Sequence, residues 1–370
     1  MMKYFDEYVS NTYAGSSNQL YFTMQDGEIR TGRIFYQISV GGKYPYSLLF
    51  SNIIDSTFYD GTVSHKNLIC DSWEILGAKI GKCSAFPKDR ELTDIKLEQE
   101  VTVTDFCDVT FDGKSSKTVM PGEFFATDPI ELSFEEGEYL CLEITYSGPM
   151  IPYHEETLLP VYVKSETGWQ YHKHVPFASM IGCARKVKKR VAFFGDSITQ
   201  GIGTTPNSYL HWNAQLSRKI GESYSFWNLG IGFGRANDAA TDGAWFYKAK
   251  QSDIVFVCFG VNDLSRIPSE EQTKNDLFYI VNTLKNLGKT VILQTIPPFD
   301  YPPERKEKWE RLNHYIKTEL AEIADLVFDN VPYLGESTEN PQIAKFGGHP
   351  NEEGCTIWAD ALYEAVGHLF

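Results

Sequence analysis

No Cys-x-x-Cys pair occurs in the 370 residues, and the seven cysteines (Cys70, Cys83, Cys107, Cys141, Cys183, Cys258, Cys355) are scattered and odd in number. That excludes a disulfide frame and a zinc-ribbon site, and a reducing compartment is expected. Basic residues are few, 34 against 49 acidic ones for a formal charge of −15, which leaves no surplus to neutralise nucleic-acid phosphates or an anionic membrane. No apolar run approaches the ~20 residues that span a bilayer. The opening residues, MMKYFDEYVSNTYAG, have no basic segment followed by an apolar one, so no signal peptide is visible and a cytoplasmic location is expected. Internal repeats and low-complexity stretches are absent. Neither cofactor nor metal is expected: His172 and His174 read as a surface pair, and His211 and His314 as solvated helix residues. Glycines 230, 232 and 234 lack dinucleotide-loop spacing and the acidic ribose ligand that should follow.

What is present divides into two grammars. Residues 1–180 hold short runs rich in β-branched and aromatic residues: Arg33–Ile38, Tyr46–Phe50, Val101–Val103 and Tyr139–Ile144. Gly41-Gly42, Asp60-Gly61, Asp112-Gly113, Pro121-Gly122 and Glu136-Gly137 punctuate them. This pattern predicts an all-β sandwich of jelly-roll type. Residues 188–370 alternate strand with helix. Strands are predicted at Val191–Phe194, Tyr224–Trp227, Ile254–Phe259, Thr290–Gln294 and Leu326–Phe328. Between them, Leu277, Ile280, Val281, Leu284 and Leu287 recur at helical spacing, as do Trp309, Leu312, Ile316, Leu320 and Ile323. Such alternation predicts a three-layer α/β/α domain on a parallel sheet. The basic run Arg185–Arg190 marks a short seam between the two parts, with no Pro/Gly/Ser-rich spacer.

Residues 191–201, VAFFGDSITQG, carry the chemistry. A buried strand turning sharply into a helix sets Ser197 at the carboxyl edge of the sheet, where α/β proteins bind ligands. There its hydroxyl suits nucleophilic attack and its amide suits oxyanion stabilisation; an N-cap is the plainer alternative. Downstream strand ends carry Asn228-Leu229-Gly230-Ile231-Gly232-Phe233-Gly234, then Gly260-Val261-Asn262-Asp263, and Gly348-His349-Pro350-Asn351 precedes the last helix. Taken in order, the four blocks resemble those of the SGNH, or GDSL, hydrolase superfamily over residues 190–366. The β-half is similar to the domain preceding some bacterial members, through Ser47–Asn52 and Pro121–Pro129.

The resemblance implies a metal-independent serine esterase with a flavodoxin-like fold. Ser197 would be the nucleophile and His349 its base. The oxyanion donors would be the Ser197 amide, an amide among Gly232, Phe233 and Gly234, and the Asn262 side chain. Members with a β-domain resemble carbohydrate esterases, which implies a small acyl ester of a saccharide or oligosaccharide as substrate. Two positions depart from the pattern. The aspartate usual three residues before the histidine is Phe346, and the usual oxyanion glycine is Phe233. A Ser–His dyad, its imidazole oriented by a backbone carbonyl of the Lys345–Gly348 loop, is therefore expected. Asp329, Glu339, Glu352 and Glu353 are the alternative partners. The departures also motivate two rival functions: a carbohydrate-binding protein with a degenerate hydrolase site, and an acyltransferase.

Overall fold

The computed structural model describes residues 2–59, 63–267 and 269–370; the Asp60-Gly61 turn signal lies outside them. The chain divides into two compact units, Met1–Asp55 with Asn67–Lys186 and Ser56–Lys66 with Val187–Phe370.

The first unit is antiparallel. One sheet is built on Gly42–Ser51, which pairs with Met180–Cys183, Phe124–Ala126 and Ile130–Phe134. The other centres on Tyr139–Ser147, flanked by Arg30–Gln37 and Trp73–Cys83. Inward residues such as Ile34, Leu48, Leu140 and Ile144 are fully buried, as the alternation along a half-buried strand requires. Trp73 joins the sheets: its indole N–H donates to Asn52 Oδ1 at 3.0 Å and its ring meets Phe125 edge-on. One predicted strand is misplaced. Val101–Val103 is loop, and the strand follows at Thr104–Asp108, where every residue is exposed and no alternation could reveal it. The unit also runs beyond residue 180, because Met180–Cys183 is a paired strand rather than part of a linker.

The second unit has a parallel sheet of β1 (Arg190–Gly195), β2 (Ser225–Asn228), β3 (Ile254–Cys258), β4 (Thr290–Gln294) and β5 (Leu326–Phe328), in the order β2-β1-β3-β4-β5. Strands buried on both faces carry apolar residues without alternation, and in β1 Val191 to Phe194 are each at most 1% exposed. Successive rings serve opposite layers. Phe193 packs edge-on to Trp212, which stacks on Trp358 at 4.5 Å, whereas Phe194 meets Trp245 and Phe246. The helix Glu270–Asn286 buries Leu277, Ile280, Val281 and Leu284, leaving Leu287 exposed just past its end. The strand order reverses at β1, so the crevice beyond the carboxyl ends of β1 and β3 is a switch point suited to ligand binding. Gly195 pairs with Cys258 across these strands, so the segments after both leave the sheet at the same level.

Candidate active site

Ser197 opens the short helix Ser197–Gln200 directly after β1. Asp196 is its N-cap, with Oδ1 accepting the Ile198 amide at 3.0 Å, so the aspartate holds the turn. Ser197 is 8% exposed, and its Oγ lies 2.9 Å from His349 Nε2. His349 precedes the helix Glu352–Val366, in a loop that folds back on itself at Gly347 (φ 72°) and Gly348 (φ 122°). A Cβ on Gly347 would sit 2.3 Å from the Phe299 ring, so only glycine fits the bend.

The bend turns the Phe346 carbonyl onto the imidazole, 3.0 Å from Nδ1. A carbonyl can only accept, so Nδ1 carries the proton and Nε2 is left to accept the Ser197 hydroxyl. That is the tautomer a general base needs. None of the carboxylates considered from sequence replaces this carbonyl as the Nδ1 partner. Glu352 accepts from Thr205 at 2.6 Å, and Asp329 accepts from Thr295 and Lys317 at 3.1 Å. The Phe346 side chain is 64% exposed, and its ring lies 4.6 Å from the imidazole. Burial pushes the His349 pKa below its ordinary value, and the Phe346 carbonyl opposes this only in part, so the ring is neutral at pH 7.

The glycine loop follows β2. Gly230 lies so close to the Ser197–Gln200 helix that a Cβ would be 2.1 Å from the Gln200 nitrogen. Of the three loop residues considered as amide donors, two are already engaged. The Gly232 amide donates to Gln200 Oε1 at 2.6 Å, and the Gly234 amide to the Ile231 carbonyl at 3.0 Å. Among the described residues no acceptor is recorded for the Phe233 amide, and Phe233 alone of the three is a non-glycine residue at positive φ, 60°. This backbone state costs an L-residue roughly 1–2 kcal/mol, and glycine adopts it without that cost. Across the crevice, Asn262 is the second residue of the short helix Val261–Arg266 after β3, and its Nδ2 donates to the Gly234 carbonyl at 3.0 Å. The second Nδ2 proton remains for another acceptor. Asp263, beside it, is wholly buried and caps the amides of Ala236 and Asn237 at 3.0 and 3.3 Å. Desolvation pushes the Asp196 and Asp263 carboxyls up, each to about 7.

Sequence reasoning missed Gln200 and the capping role of Asp263, since side-chain bonds to distant backbone leave no periodic signal. It also misjudged His211, which is 2% exposed because it packs against Gly201 ahead of the helix Trp212–Ile220. His172 and His174 lie edge to face, 4.4 Å apart, and no group of three metal-ligating side chains occurs among the described residues.

Residues 193–357 match the model of the GDSL-like lipase/acylhydrolase family. No curated protein matches the chain. Among solved structures, the chain is similar to a member of the lipolytic protein G-D-S-L family from Veillonella parvula, at 20% identity and a TM-score of 0.41, covering 48% of this chain and 98% of that one. It is also similar to a carbohydrate acetylesterase from Sinorhizobium meliloti, at 17% identity and a TM-score of 0.39, covering 50% and 100%. A GDSL-like lipase from Bacteroides thetaiotaomicron is likewise similar, at 21% identity and 0.38, covering 49% and 89%.

Proposed function

We propose that the chain is a serine esterase working through a Ser197–His349 dyad on short-chain acyl esters of a saccharide, a reading supported by the match of residues 193–357 to the GDSL-like lipase/acylhydrolase family. The observation that carries this reading is the pair of hydrogen bonds on one imidazole, Nε2 to Ser197 and Nδ1 to the Phe346 carbonyl. Serine is a weak nucleophile until a base takes its proton. His349 Nε2 takes that proton as Oγ bonds to the ester carbonyl carbon. The resulting oxyanion is met by the Ser197 amide, the Phe233 amide and the second Asn262 N–H, each worth roughly 3 kcal/mol when preorganised. The imidazolium then protonates the departing alcohol. Water, deprotonated by the same Nε2, releases the acid and restores Ser197.

Two considerations support a small acyl group on a saccharide. A β-sandwich in the same chain resembles the arrangement of carbohydrate esterases, and the exposed Phe346 ring offers a flat apolar face beside His349. The net charge of −15 speaks against nucleic acid as a partner.

The test uses the full chain. A fluorophosphonate should label one peptide, the one containing Ser197, and 4-nitrophenyl acetate should be turned over faster than the butyrate ester. Ser197→Ala should lose both label and turnover. Acetylated oligosaccharides should release acetate in the same serine-dependent way. Esterase activity that survives Ser197→Ala overturns the assignment, and an unlabelled, inactive parent favours a carbohydrate-binding protein with a degenerate site.

A further inference from the structure

Residues Ser56–Lys66 come from the first half of the sequence but belong to the second unit. The described residues of this span lie in a two-stranded ribbon, Ile53–Tyr59 paired with Val63–Ile69. One side chain from each strand reaches the same short helix, Ala236–Ala239, just beyond the oxyanion loop. Ser56 Oγ donates to Asp238 Oδ2 at 2.8 Å, and Lys66 Nζ donates to Asn237 Oδ1 at 3.2 Å. Ser56 and Asp238 are 0% and 1% exposed, so this hydroxyl–carboxylate bond has no competition from water.

Asp238 passes the restraint back along the chain. Its Oδ2 also accepts the Arg235 amide at 3.2 Å and Arg235 Nε at 2.9 Å, and its Oδ1 accepts Nη2 at 2.5 Å. Arg235 is two residues after Phe233. Gly234, between them, is held through its carbonyl by Asn262, and Gly232, on the other side, through its amide by Gln200. Phe233 at φ 60° is therefore enclosed by restraints on both sides, and Ser56 is the outermost of them. A non-glycine residue stays in the left-handed region only where its surroundings over-determine it. Once a restraint is gone, relaxation to negative φ would turn the peptide on the N-terminal side of Phe233 and carry its amide off line.

We propose that Ser56 is a positioning residue for catalysis: through Asp238 and Arg235 it keeps Phe233 in the conformation that presents its amide to the oxyanion. The inference rests on the esterase reading above and adds a contribution from a segment far outside the four hydrolase blocks. A purely structural Ser56 would anchor the ribbon and change stability without any dependence on which residue occupies 233. A positioning Ser56 must couple to position 233, because glycine adopts that φ without restraint.

The experiment measures kcat, KM and Tm on 4-nitrophenyl acetate for full-length Ser56→Ala and Ser56→Thr, each alone and combined with Phe233→Gly. Ser56→Ala should lower kcat about tenfold with KM within about twofold, a displaced donor costing less than the loss expected for a deleted one. Ser56→Thr, which keeps the hydroxyl, should recover most of that loss. In the Phe233→Gly background the Ser56→Ala loss should shrink to within about twofold. Parental kcat in Ser56→Ala, a change in KM alone, or an equal loss in both backgrounds overturns the inference. If Ser56→Ala does not fold, Ser56→Cys, of similar size with a weaker donor, is compared across the same backgrounds. A parent without serine-dependent turnover defeats the esterase reading. An active parent indifferent to Ser56→Ala defeats this inference alone.

Discussion

Replacing Phe346 with aspartate would put a carboxylate at the usual position three residues before His349, in competition with the carbonyl that now holds Nδ1. A neutral hydrogen bond contributes about 0.5–1.5 kcal/mol and a charged one about 1.5–3 kcal/mol, so an ideal carboxylate would favour the imidazolium by about 1–2 kcal/mol more than the carbonyl does. That gain would not be fully realised. The Phe346 side chain is 64% exposed, so the new charge would face water, and screening leaves about 1 kcal/mol or less. The expected rise in kcat is thus under about tenfold, against the roughly 10⁴ that a buried triad aspartate contributes elsewhere. The pH profile is the sharper assay. His349 acts as a base only when neutral, and burial lowers its pKa from the ordinary 6.5. The parent kcat/KM should therefore lose activity only below pH 6.5, as the ring protonates. Aspartate at 346 stabilises the protonated ring, so the acidic limb should move up by about one pH unit or less. A parent limb above 6.5 would refute the neutral-acceptor dyad, since it would require a carboxylate already acting on the imidazole. A gain of about 100-fold or more from Phe346→Asp would refute it from the other side, by showing that the carbonyl does not orient the ring well enough for catalysis.

Asn262→Ala should lower kcat by roughly 10²–10³ with little change in KM if its second N–H meets the oxyanion, whereas a pure KM effect in steady-state kinetics would place it on the ground state. Gly347→Ala should lower kcat and reduce Tm, because a Cβ 2.3 Å from the Phe299 ring forces apart the bend that aims the Phe346 carbonyl; an unchanged kcat would show that the bend does not orient His349. The Asp263 carboxyl is held at about 7 against an ordinary 3.8, so the folded chain binds more protons than the unfolded one across that window. Its contribution to stability is present below about pH 4 and is lost as pH rises through 7. Denaturation of the parent at pH 5 and 8 should show this loss and Asp263→Asn a smaller one, whereas equal slopes would refute it.

The five strands of the parallel sheet were legible to within a residue or two because strands buried on both faces are continuous apolar runs, and their ends then located Ser197 and Asn262. The antiparallel half was less legible. Thr104–Asp108 pairs with Trp73–Cys83 yet buries no side chain, so nothing in its composition marks it, while the β-branched Val101–Val103 beside it stays unpaired. The carbonyl on His349 was legible in kind, because two consecutive glycines before the histidine allow a loop to fold onto the ring. The loop amide was not. Choosing Phe233 over its neighbours requires knowing that Gln200 and Ile231 already occupy the other two amides. The Ser56–Asp238 bond joins residues 182 apart in sequence, and nothing local predicts it.

Among the described residues no carboxylate meets the His349 ring, in a site that is otherwise rich in buried acids. Asp196 caps the helix of Ser197, Asp263 caps the helix after the glycine loop, and Asp238 holds the Arg235 fork. Each accepts from backbone amides or a guanidinium, so each acts on the geometry of the backbone and not on a proton in transit. Their environment also disfavours one more charge. Desolvation lifts Asp196 and Asp263 to about 7, with repulsion from Asp263 adding to it at Asp196 and from Asp238 and Asp276 at Asp263, so a further ionised carboxylate buried beside these two would raise their cost again. A carbonyl orients the imidazole without adding charge, and it stabilises the imidazolium less. At position 346 the side chain faces water, so a carboxylate there would be screened and not buried, and the proposed dyad gives up about 1 kcal/mol or less of imidazolium stabilisation by relying on the carbonyl.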